Sequence, residues 1–206
     1  ILIASLEAPR RLWANSAIVD RLQLNDTLYA VATLHRPSNV DDIKVLKGLI
    51  DTLLRISQRI PIVFPVHPRT KKALEAMGSF GPGLYFGPPP TPPQGVHCMD
   101  PIGHLDFMSL IAKSCLVLTD SGGIQEETTV LGIPCLTLRE NTERPITVTH
   151  GTNRVIGADP ARILSEAMKA LDSPRSPLMS PPFWDGHASE RIVQVLRDQL
   201  CVRQVA

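Results

Sequence analysis

Residues 116–127 read Leu-Val-Leu-Thr-Asp-Ser-Gly-Gly-Ile-Gln-Glu-Glu, and this stretch decides the fold. Its opening apolar run is typical of a strand that is buried on both faces. The run ends at Thr119 and Asp120, a Ser-Gly-Gly turn follows, and the chain resumes in residues that favour a helix with acidic side chains in its early turns. Strand, tight turn and helix in this order form the building unit of α/β proteins, so the segment predicts that class.

The turn between the predicted strand and helix suits an anion. The first turn of a helix leaves backbone N–H groups unpaired and carries the positive end of the helix dipole. Ser121 adds a hydroxyl that can cap the helix or donate to a phosphate oxygen. Gly122 and Gly123 remove the side chains that would keep a ligand away from the backbone. We predict a phosphate site here; an ordinary turn without a ligand remains the alternative, because glycines are common in such turns.

The carboxyl of Glu127 is predicted to point inward. Ile124, Glu127 and Leu131 are spaced three and four residues apart, so they share one face of the helix, and the two apolar members mark that face as buried. A buried carboxylate without a partner is costly, and ribose hydroxyls close to the phosphate site would supply one. In the alternative, Glu126 and Glu127 are surface acids favoured by the helix dipole.

Composition excludes several classes of protein. The 206 residues are 43% apolar and 20% charged, with a net charge of +1, so there is no overall basic field for nucleic acid or an anionic membrane. The apolar runs are too short to span a membrane, and no signal peptide is apparent. The cysteines at 98, 115, 135 and 201 have no metal-binding spacing. We therefore expect a cytoplasmic protein without a metal site.

Strands alternate with helices along the whole chain. The predicted strands cover residues 27–34, 61–66, 95–100, 116–119, 135–138 and 152–156, with 85–86 as a further short candidate. The predicted helices cover residues 13–22, 41–59, 70–77, 105–113, the segment after Gly123, 159–171 and 188–200. This alternation predicts a Rossmann-like parallel sheet of about six strands flanked by helices.

Three regions are expected in the chain. Residues 1–25 are predicted to be a linker and helix that lead from a missing N-terminal domain, because the first residues have no features of a chain start. Residues 26–182 form the Rossmann-like domain. Residues 183–206 form a C-terminal helix that packs back toward the missing domain. The proline run at 88–93 is predicted to be surface polyproline II in a loop.

Cationic side chains follow several of the predicted strands. His35 and Arg36 come after the first strand, and further examples after later strands are His67, Arg69, Arg139 and Arg144. Ligands of open α/β sheets bind beyond the carboxyl ends of the strands, so this distribution favours an anion site there. Arg144 precedes a proline, and its guanidinium is a candidate to bind phosphates through two parallel N–H groups. Phe107 is a candidate to bracket a base, with core packing as the alternative. No dinucleotide-redox, P-loop or α/β-hydrolase motif is present.

Five motifs occur in the order seen in one enzyme family. They lie at residues 33–41 (TLHRPSNVD), 66–68 (VHP), 100–103 (DPIG), 119–127 (TDSGGIQEE) and 142–145 (TERP). In this order they resemble the C-terminal half of the non-hydrolysing UDP-N-acetylglucosamine 2-epimerases, over residues 27–200. The proline run at 88–93 is longer than the usual connection of that family.

The resemblance implies a fold, a ligand and a reaction. The family has two Rossmann-like domains that face a cleft, as in glycosyltransferases of the GT-B kind. By this resemblance Ser121, Gly122 and Gly123 hold the diphosphate of UDP, Glu127 holds the ribose, and Arg144 and His35 face the phosphates. His35 is the catalytic candidate on the leaving-group side, and Arg36 is a further candidate for substrate binding. UDP-N-acetylglucosamine would lose UDP to give 2-acetamidoglucal, and UDP would return to give UDP-N-acetylmannosamine. No redox cofactor is implied, and the full-length form is expected to be a homodimer.

Two other functions remain open at this point. The same scaffold could serve as the donor domain of a UDP-sugar glycosyltransferase, or as a nucleotide-binding module without catalysis. The acid–base groups that work at C2 of the sugar are expected in the missing N-terminal domain, and proton transfer needs them within hydrogen-bond reach. We therefore expect the isolated chain to bind UDP weakly and to be inactive as an epimerase.

Overall fold

Seven parallel strands form one sheet in the order β3-β4-β2-β1-β5-β6-β7. The computed structural model describes residues 10–78, 82–87, 93–173 and 181–203. The strands are β1 (Ala30–Thr33), β2 (Ile62–Pro65), β3 (Leu84–Phe86), β4 (Val96–Met99), β5 (Leu116–Thr119), β6 (Cys135–Thr137) and β7 (Asn153–Val155). The sequence predicts about six of them; the seventh is the edge strand β3, which coincides with the short candidate at 85–86. The predicted class, a Rossmann-like parallel α/β sheet, is confirmed.

Helices connect the strands on both faces of the sheet. They are α1 (Arg10–Ala14), α2 (Ile18–Arg21), α3 (Pro37–Val40), α4 (Ile43–Ile56), α5 (Pro68–Met77), α6 (His104–Lys113), α7 (Gly122–Leu131), α8 (Ile146–Thr149), α9 (Pro160–Asp172) and α10 (Ala188–Arg203). The short helix α8 follows the TERP motif and is absent from the sequence-based prediction. A four-residue helix is too short for apolar periodicity to reveal.

The strands alternate their side chains between two core layers. Ala30, Ala32, Leu116 and Leu118 pack with α4 and α9 on one face. Val31 and Val117 pack with α2, α6 and α7 on the other face. Because successive side chains of a strand point to opposite faces, the short apolar strands contribute side chains to both core layers. This is expected for a parallel sheet that is covered by helices on both sides.

The strand order reverses between β1 and β5. The strands β2, β3 and β4, which follow β1 in the chain, lie between β1 and one edge of the sheet, with β3 outermost. The later strands β5, β6 and β7 lie in chain order between β1 and the other edge. The two central strands are paired up to Thr33 and Thr119, whose hydroxyl oxygens lie 2.7 Å apart. The segments after these residues therefore leave the sheet side by side, and such a switch point is where open α/β sheets bind ligands.

The helix predicted at residues 13–22 is two short helices. The hydroxyl of Ser16 accepts a hydrogen bond from the N–H of Ile18 at 3.2 Å and donates to Asp106 at 2.5 Å. A serine that bonds locally in this way begins a new helix and interrupts the old one. Trp13 of α1 packs on Met108 of α6, and Ile18 of α2 lies in the second core layer. Helices α1 and α2 thus pack on the Rossmann-like domain, α1 through helix α6 and α2 through the second core layer.

The longest helix, α10, begins at Ala188 as predicted, and its side chains from 191 to 200 are exposed. Its apolar residues Ile192, Val193, Leu196 and Leu200 recur at helical spacing on one side. None of the described helices is long and apolar enough to cross a membrane. The proline run lies outside the described residues except for Pro93, as does most of the loop predicted at 173–182.

Candidate functional site

Asp120 connects the two segments that leave the sheet at the switch point. Its carboxylate is fully buried and accepts hydrogen bonds from the backbone N–H of His35 at 3.0 Å and of Arg36 at 2.9 Å. The amide of Asn39 donates to the same oxygen at 3.1 Å and to the carbonyl of Leu138 at 2.9 Å. These bonds fix the loop that follows β1 to the end of β5.

The ionised state of Asp120 is favoured despite its burial. Burial by itself raises the pKa of this carboxyl, but the hydrogen bonds from His35 and Arg36 outweigh burial and hold the pKa below its ordinary value. His35 contributes a further contact, because its Nδ1 lies 2.9 Å from Oδ1 of Asp120. Asp120 is therefore a buried acceptor of hydrogen bonds from both backbone and side chain.

A cavity of about 350 Å³ opens beside His35. Its walls are mostly apolar, and the residues around it are Thr33, Leu34, His35, Pro65, His67, Pro68, Pro101, Ile102, Phe107, Ser121 and Ile124. The rings of His35 and His67 lie 5.8 Å apart, centre to centre. A cavity with aromatic and apolar walls and a few polar groups could take a flat organic ring that carries a polar substituent.

The N-terminus of α7 borders this cavity. Ser121 is the residue before the helix, and its side chain makes no capping hydrogen bond. Gly122 is buried, and a Cβ there would lie 3.2 Å from Oε2 of Glu143. A Cβ on Gly123 would meet no atom within 4 Å, so this side of the helix turn is open. The Ser121 hydroxyl and the free N–H groups of the first turn are thus available to an anion.

Three arginines surround the same helix end. Arg144 Nε lies 3.0 Å from Oε2 of Glu126, and Arg139 forms a forked pair with Glu143 at 2.9 and 3.1 Å. Arg36 approaches Glu143 at 3.7 Å and also reaches the carbonyl of Asp120 with Nε at 3.4 Å. The hydrogen bond from Arg139, opposed by a smaller effect of desolvation, keeps the pKa of Glu143 below its ordinary value.

Buried amides position the segment that carries Arg144. Gln125 of α7 accepts a hydrogen bond from the hydroxyl of Thr142 at 2.5 Å. Asn153 of β7 donates to Gln125 at 3.3 Å and to the hydroxyl of Thr147 at 3.0 Å, and that hydroxyl in turn donates to the carbonyl of Arg144 at 2.7 Å. The backbone of Arg144 is therefore tied to α7 and β7 through buried polar side chains.

Glu127 points inward, as the helical spacing predicts, and is 7% exposed. Burial raises the pKa of its carboxyl above the ordinary value, the neighbouring charge of Glu126 adds to this, and His104 opposes it. Its hydrogen-bonding capacity is available to a ligand, since the described residues show no hydrogen bond to this carboxyl.

The predicted site residues fall into two adjacent groups. His35, Phe107 and Ser121 share the cavity. Arg36 and Arg144 lie at the N-terminal end of α7 through their pairs with Glu143 and Glu126. Arg69, another cation predicted at this rim, is held by Asp41, whose Oδ1 is 2.8 Å from Nε. His150 bonds to Thr149, and His187 pairs with Glu190, so neither belongs to these two groups.

Sequence reasoning missed four residues that organise the site. Asp120, Asn39, Gln125 and Glu126 act through hydrogen bonds or ion pairs to residues distant in sequence. One signal was available: Asp120 follows a buried strand directly and precedes the glycine turn, which places a carboxylate at the carboxyl end of the sheet. Among the described residues, no group of three His, Cys, Asp or Glu side chains is arranged to hold a metal ion.

Fold and site together define a parallel α/β protein with a candidate anion site and an adjoining apolar cavity at the switch point of its sheet. The family model described as UDP-N-acetylglucosamine 2-epimerase matches residues 4–197. The chain therefore belongs to the UDP-N-acetylglucosamine 2-epimerase family.

Relatives of the chain carry two different substrate names. A UDP-N-acetylglucosamine 2-epimerase of Methanococcus maripaludis is 38% identical over 172 residues, which make up 82% of this chain and 44% of that protein. A UDP-2,3-diacetamido-2,3-dideoxy-D-glucuronate 2-epimerase of Pseudomonas aeruginosa is 35% identical over 169 residues, with the same two shares of 82% and 44%. The chain spans about half the length of the curated relatives that it matches.

A solved structure supports the same family. The crystal structure of Methanocaldococcus jannaschii UDP-GlcNAc 2-epimerase in complex with UDP-GlcNAc and UDP superposes with a TM-score of 0.78 at 32% sequence identity. The superposition covers 95% of this chain and 52% of that one. The Rossmann-like sheet described above thus corresponds to one half of a solved epimerase.

Proposed function

We propose that this chain is the UDP-binding half of a UDP-N-acetylglucosamine 2-epimerase. One observation carries the proposal: the loop of His35 and Arg36 is fastened by Asp120 beside the open N-terminus of α7, and both border one apolar cavity. A nucleoside diphosphate has the matching parts, a flat base for the cavity and two phosphates for the helix end. The M. jannaschii epimerase of similar structure was solved with UDP-GlcNAc and UDP.

We assign the parts of UDP to the residues as follows. The diphosphate lies against Ser121, Gly122 and Gly123, where backbone N–H groups and the helix dipole favour negative charge. Arg144 and Arg36 supply guanidinium groups from the two flanking loops. In this arrangement the phosphates lie near the carboxylate of Glu143, which is close to Gly122 and is paired with Arg139.

The nucleoside occupies the remaining positions. Phe107 brackets the uracil ring in the cavity that it shares with His35. Glu127 accepts hydrogen bonds from the ribose hydroxyls, and its buried carboxyl has no other hydrogen-bond donor in the described part of the chain. Burial raises the pKa of Glu127, so hydrogen bonds from the ribose hydroxyls would also stabilise its ionised form.

The proposed reaction is a reversible inversion at C2 of the sugar. The bond between C1 and the UDP oxygen breaks while C2 loses its proton, which gives 2-acetamidoglucal and UDP. UDP then adds back to C1 as a proton returns to the other face of C2, and UDP-N-acetylmannosamine results. No net oxidation occurs, so the reaction consumes no redox cofactor. The part of this chain is to hold the UDP leaving group, with His35 on the phosphate side.

The half that is absent from this chain is proposed to supply the acid and base at C2. The relatives are about twice as long, and general acid–base catalysis needs groups within hydrogen-bond reach of the proton. The exposed apolar side of α10 is proposed to pack against that half, and the full-length protein is proposed to be a cytoplasmic homodimer. The isolated chain would then bind UDP weakly and leave UDP-GlcNAc unchanged.

A second candidate substrate follows from the relatives. The Pseudomonas protein acts on a UDP-linked diacetamido sugar acid according to its name, yet it is 35% identical to this chain. The residues of the proposed UDP site face the nucleotide and leave the choice of sugar to the other half of the active site. A UDP-sugar with a different sugar ring is therefore the alternative substrate within the same reaction class.

Calorimetric titration tests the ligand assignment directly. We expect UDP to bind more tightly than UMP, which lacks the second phosphate, and more tightly than ADP, whose purine does not match the cavity. Equal binding of UDP and ADP would contradict the proposed base site. Rapid epimerisation of UDP-GlcNAc by the purified 206-residue chain would contradict the assignment of the C2 groups to another domain. Sugar transfer to an acceptor without inversion at C2 would indicate a glycosyltransferase.

A further inference from the structure

Asp120 makes one contact more than its structural role requires. The backbone N–H groups of His35 and Arg36, with the amide of Asn39, already fasten the loop after β1 to this carboxylate. The additional contact goes to a side chain: Nδ1 of His35 lies 2.9 Å from Oδ1 of Asp120. That side chain also lines the cavity.

The contact between Asp120 and His35 fixes the position of a proton. An ionised carboxylate only accepts hydrogen bonds, so the Nδ1 atom that approaches it must carry the hydrogen. A neutral imidazole has one N–H, and the lone pair is then on Nε2, at the far edge of the ring. Because Nδ1 is occupied by Asp120 and the ring lines the cavity, Nε2 is the nitrogen left for a ligand.

His67 is arranged in the opposite way. Its Nδ1 accepts a hydrogen bond from the backbone N–H of Arg69 at 3.2 Å, so in the neutral ring the hydrogen is on Nε2. The two imidazoles lie 5.8 Å apart in the same cavity and hold opposite tautomers. The difference follows from what each Nδ1 contacts: a carboxylate for His35 and a backbone N–H for His67.

We propose that Asp120 is a positioning residue, which holds His35 in the Nδ1–H tautomer and thereby directs Nε2 toward the diphosphate of the bound nucleotide. The inference rests on the proposed function of the site. When Nε2 takes up a proton, it donates to a phosphate oxygen while the Nδ1–H stays on Asp120. The carboxylate then balances the charge of the imidazolium, so the site gains a phosphate donor without an unpaired buried charge.

NMR can determine the tautomers of His35 and His67 in the chain without added nucleotide. We expect the imidazole ¹⁵N chemical shifts of the full chain, labelled on histidine and measured at alkaline pH, to show Nδ1–H for His35 and Nε2–H for His67. His67 serves as the internal control. An Nε2–H tautomer at His35 in the unaltered protein would overturn the proposal without any variant.

Asp120→Asn tests whether the carboxylate sets the tautomer. An asparagine amide offers one acceptor and one donor, and the acceptor is needed by the backbone N–H groups of His35 and Arg36. The donor then faces Nδ1 of His35, so we expect His35 to switch to Nε2–H while His67 stays unchanged. UDP binding should weaken by about 10- to 100-fold, the range for loss of a charge-assisted hydrogen bond. Asp172→Asn is the matched control, because Asp172 pairs with Arg59 far from the cavity, and its UDP affinity should equal that of the unaltered chain.

A second variant separates positioning from stability. In His35→Asn the amide can still donate to Asp120 as Nδ1 does, but no atom replaces Nε2. We expect this variant to keep the thermal stability of the chain and to lose UDP affinity as far as Asp120→Asn does. The double variant should bind no more weakly than either single one, because both changes remove the same interaction. Additive losses in the double variant would overturn the proposal. If Asp120→Asn fails to fold, unchanged UDP binding in His35→Asn would still overturn it.

The experiment distinguishes this inference from the proposed function. If the unaltered chain fails to bind UDP at all, the nucleotide site itself is wrong, and the role of His35 falls with it. If the unaltered chain binds UDP but Asp120→Asn binds it equally well, the proposed function stands and the positioning role of Asp120 is refuted.

Discussion

Among single residues, Glu127 is a buried carboxyl that accepts no hydrogen bond from the described residues. Burial raises the pKa of its carboxyl, with Glu126 adding to the shift and His104 opposing it. A raised pKa in the folded state means that folding favours the protonated form. The contribution of Glu127 to the free energy of unfolding is then fully present below the ordinary pKa of about 4.5. It is lost as the pH rises through the pKa of Glu127 in the folded state.

We therefore predict a pH-dependent stability difference between the chain and Glu127→Gln. Glutamine keeps the shape and stays neutral, so the variant should gain free energy of unfolding relative to the unaltered chain as pH rises from 4.5 toward 7. Urea unfolding of both proteins at several pH values measures this difference. The contributions of the other carboxyls are the same in both proteins and cancel when the free energies of unfolding are subtracted. A difference that is constant over this range would contradict the raised pKa.

Arg144 and the two glutamates of α7 give a second prediction at the same scale. Arg144→Ala removes a charge-assisted bond to phosphate and should weaken UDP binding by about 10- to 100-fold. Glu127→Ala should also weaken it, through loss of the ribose contact.

Glu126→Ala is the control for this pair of variants. Glu126 contacts Arg144 rather than the ligand, in an ion pair whose arginine is 45% exposed. Pairs this exposed contribute roughly 0–1 kcal/mol, so the expected loss of UDP affinity is less than about fivefold. Equal losses in Glu126→Ala and Glu127→Ala would contradict the different roles assigned to the two residues.

At the scale of one element, the first turn of α7 is open where a ligand would lie. A Cβ on Gly123 would contact nothing within 4 Å, and the φ of this residue is in the ordinary helical range. Gly123→Ala should therefore stabilise the ligand-free chain by roughly 0.5–1 kcal/mol, as alanine does in helices. The same methyl group would stand between the diphosphate and the backbone, so UDP binding should fall.

Gly48→Ala provides the matched comparison. Gly48 lies inside α4, where a Cβ would be 3.5 Å from Cγ of Pro160, an ordinary contact distance. This variant should gain similar stability and keep its UDP affinity. Thermal unfolding together with calorimetric titration separates the two effects. Full UDP affinity in Gly123→Ala would exclude the first turn of α7 as the phosphate site.

For the molecule as a whole, α10 is notable because none of its residues from 188 to 200 is buried. Its apolar residues Ile192, Leu196 and Leu200 are exposed by 47%, 54% and 62%. An apolar helix side of this kind indicates a contact surface, and the proposed contact is the other half of the enzyme. In the isolated chain we predict concentration-dependent self-association through this side of the helix.

Leu196→Lys tests this prediction by analytical ultracentrifugation. The new charge should shift the chain toward monomer and leave thermal stability nearly unchanged, because Leu196 packs little on the sheet. Gln194→Lys adds the same charge on the polar side of α10, where Gln194 bonds to Asp198 at 2.9 Å, and should leave self-association as it is. If both variants associate like the unaltered chain, another surface is responsible.

Several features were predictable because they depend on local sequence. The buried run at 116–119, the turn at Ser121 and the inward face of Glu127 follow from hydrophobic periodicity and turn chemistry within a dozen residues. Gly132 ends α7 in the left-handed conformation, with φ of 67°, as a glycine at a helix end predicts. The split of the first helix at Ser16 was missed, because it depends on a hydrogen bond to Asp106, ninety residues along the chain.

By itself, the sequence determined the α/β class, the strand-turn-helix unit and the set of cations at the carboxyl edge of the sheet. The tertiary structure alone decided which of these residues meet. Asp120 reaches His35 across 85 positions only because β1 and β5 pair in register up to Thr33 and Thr119. Hydrogen bonds between residues so far apart in the chain cannot be predicted from local periodicity, because they form only when strand pairing brings two loops together. The same pairing places His35, bound to Asp120, beside the turn at Ser121.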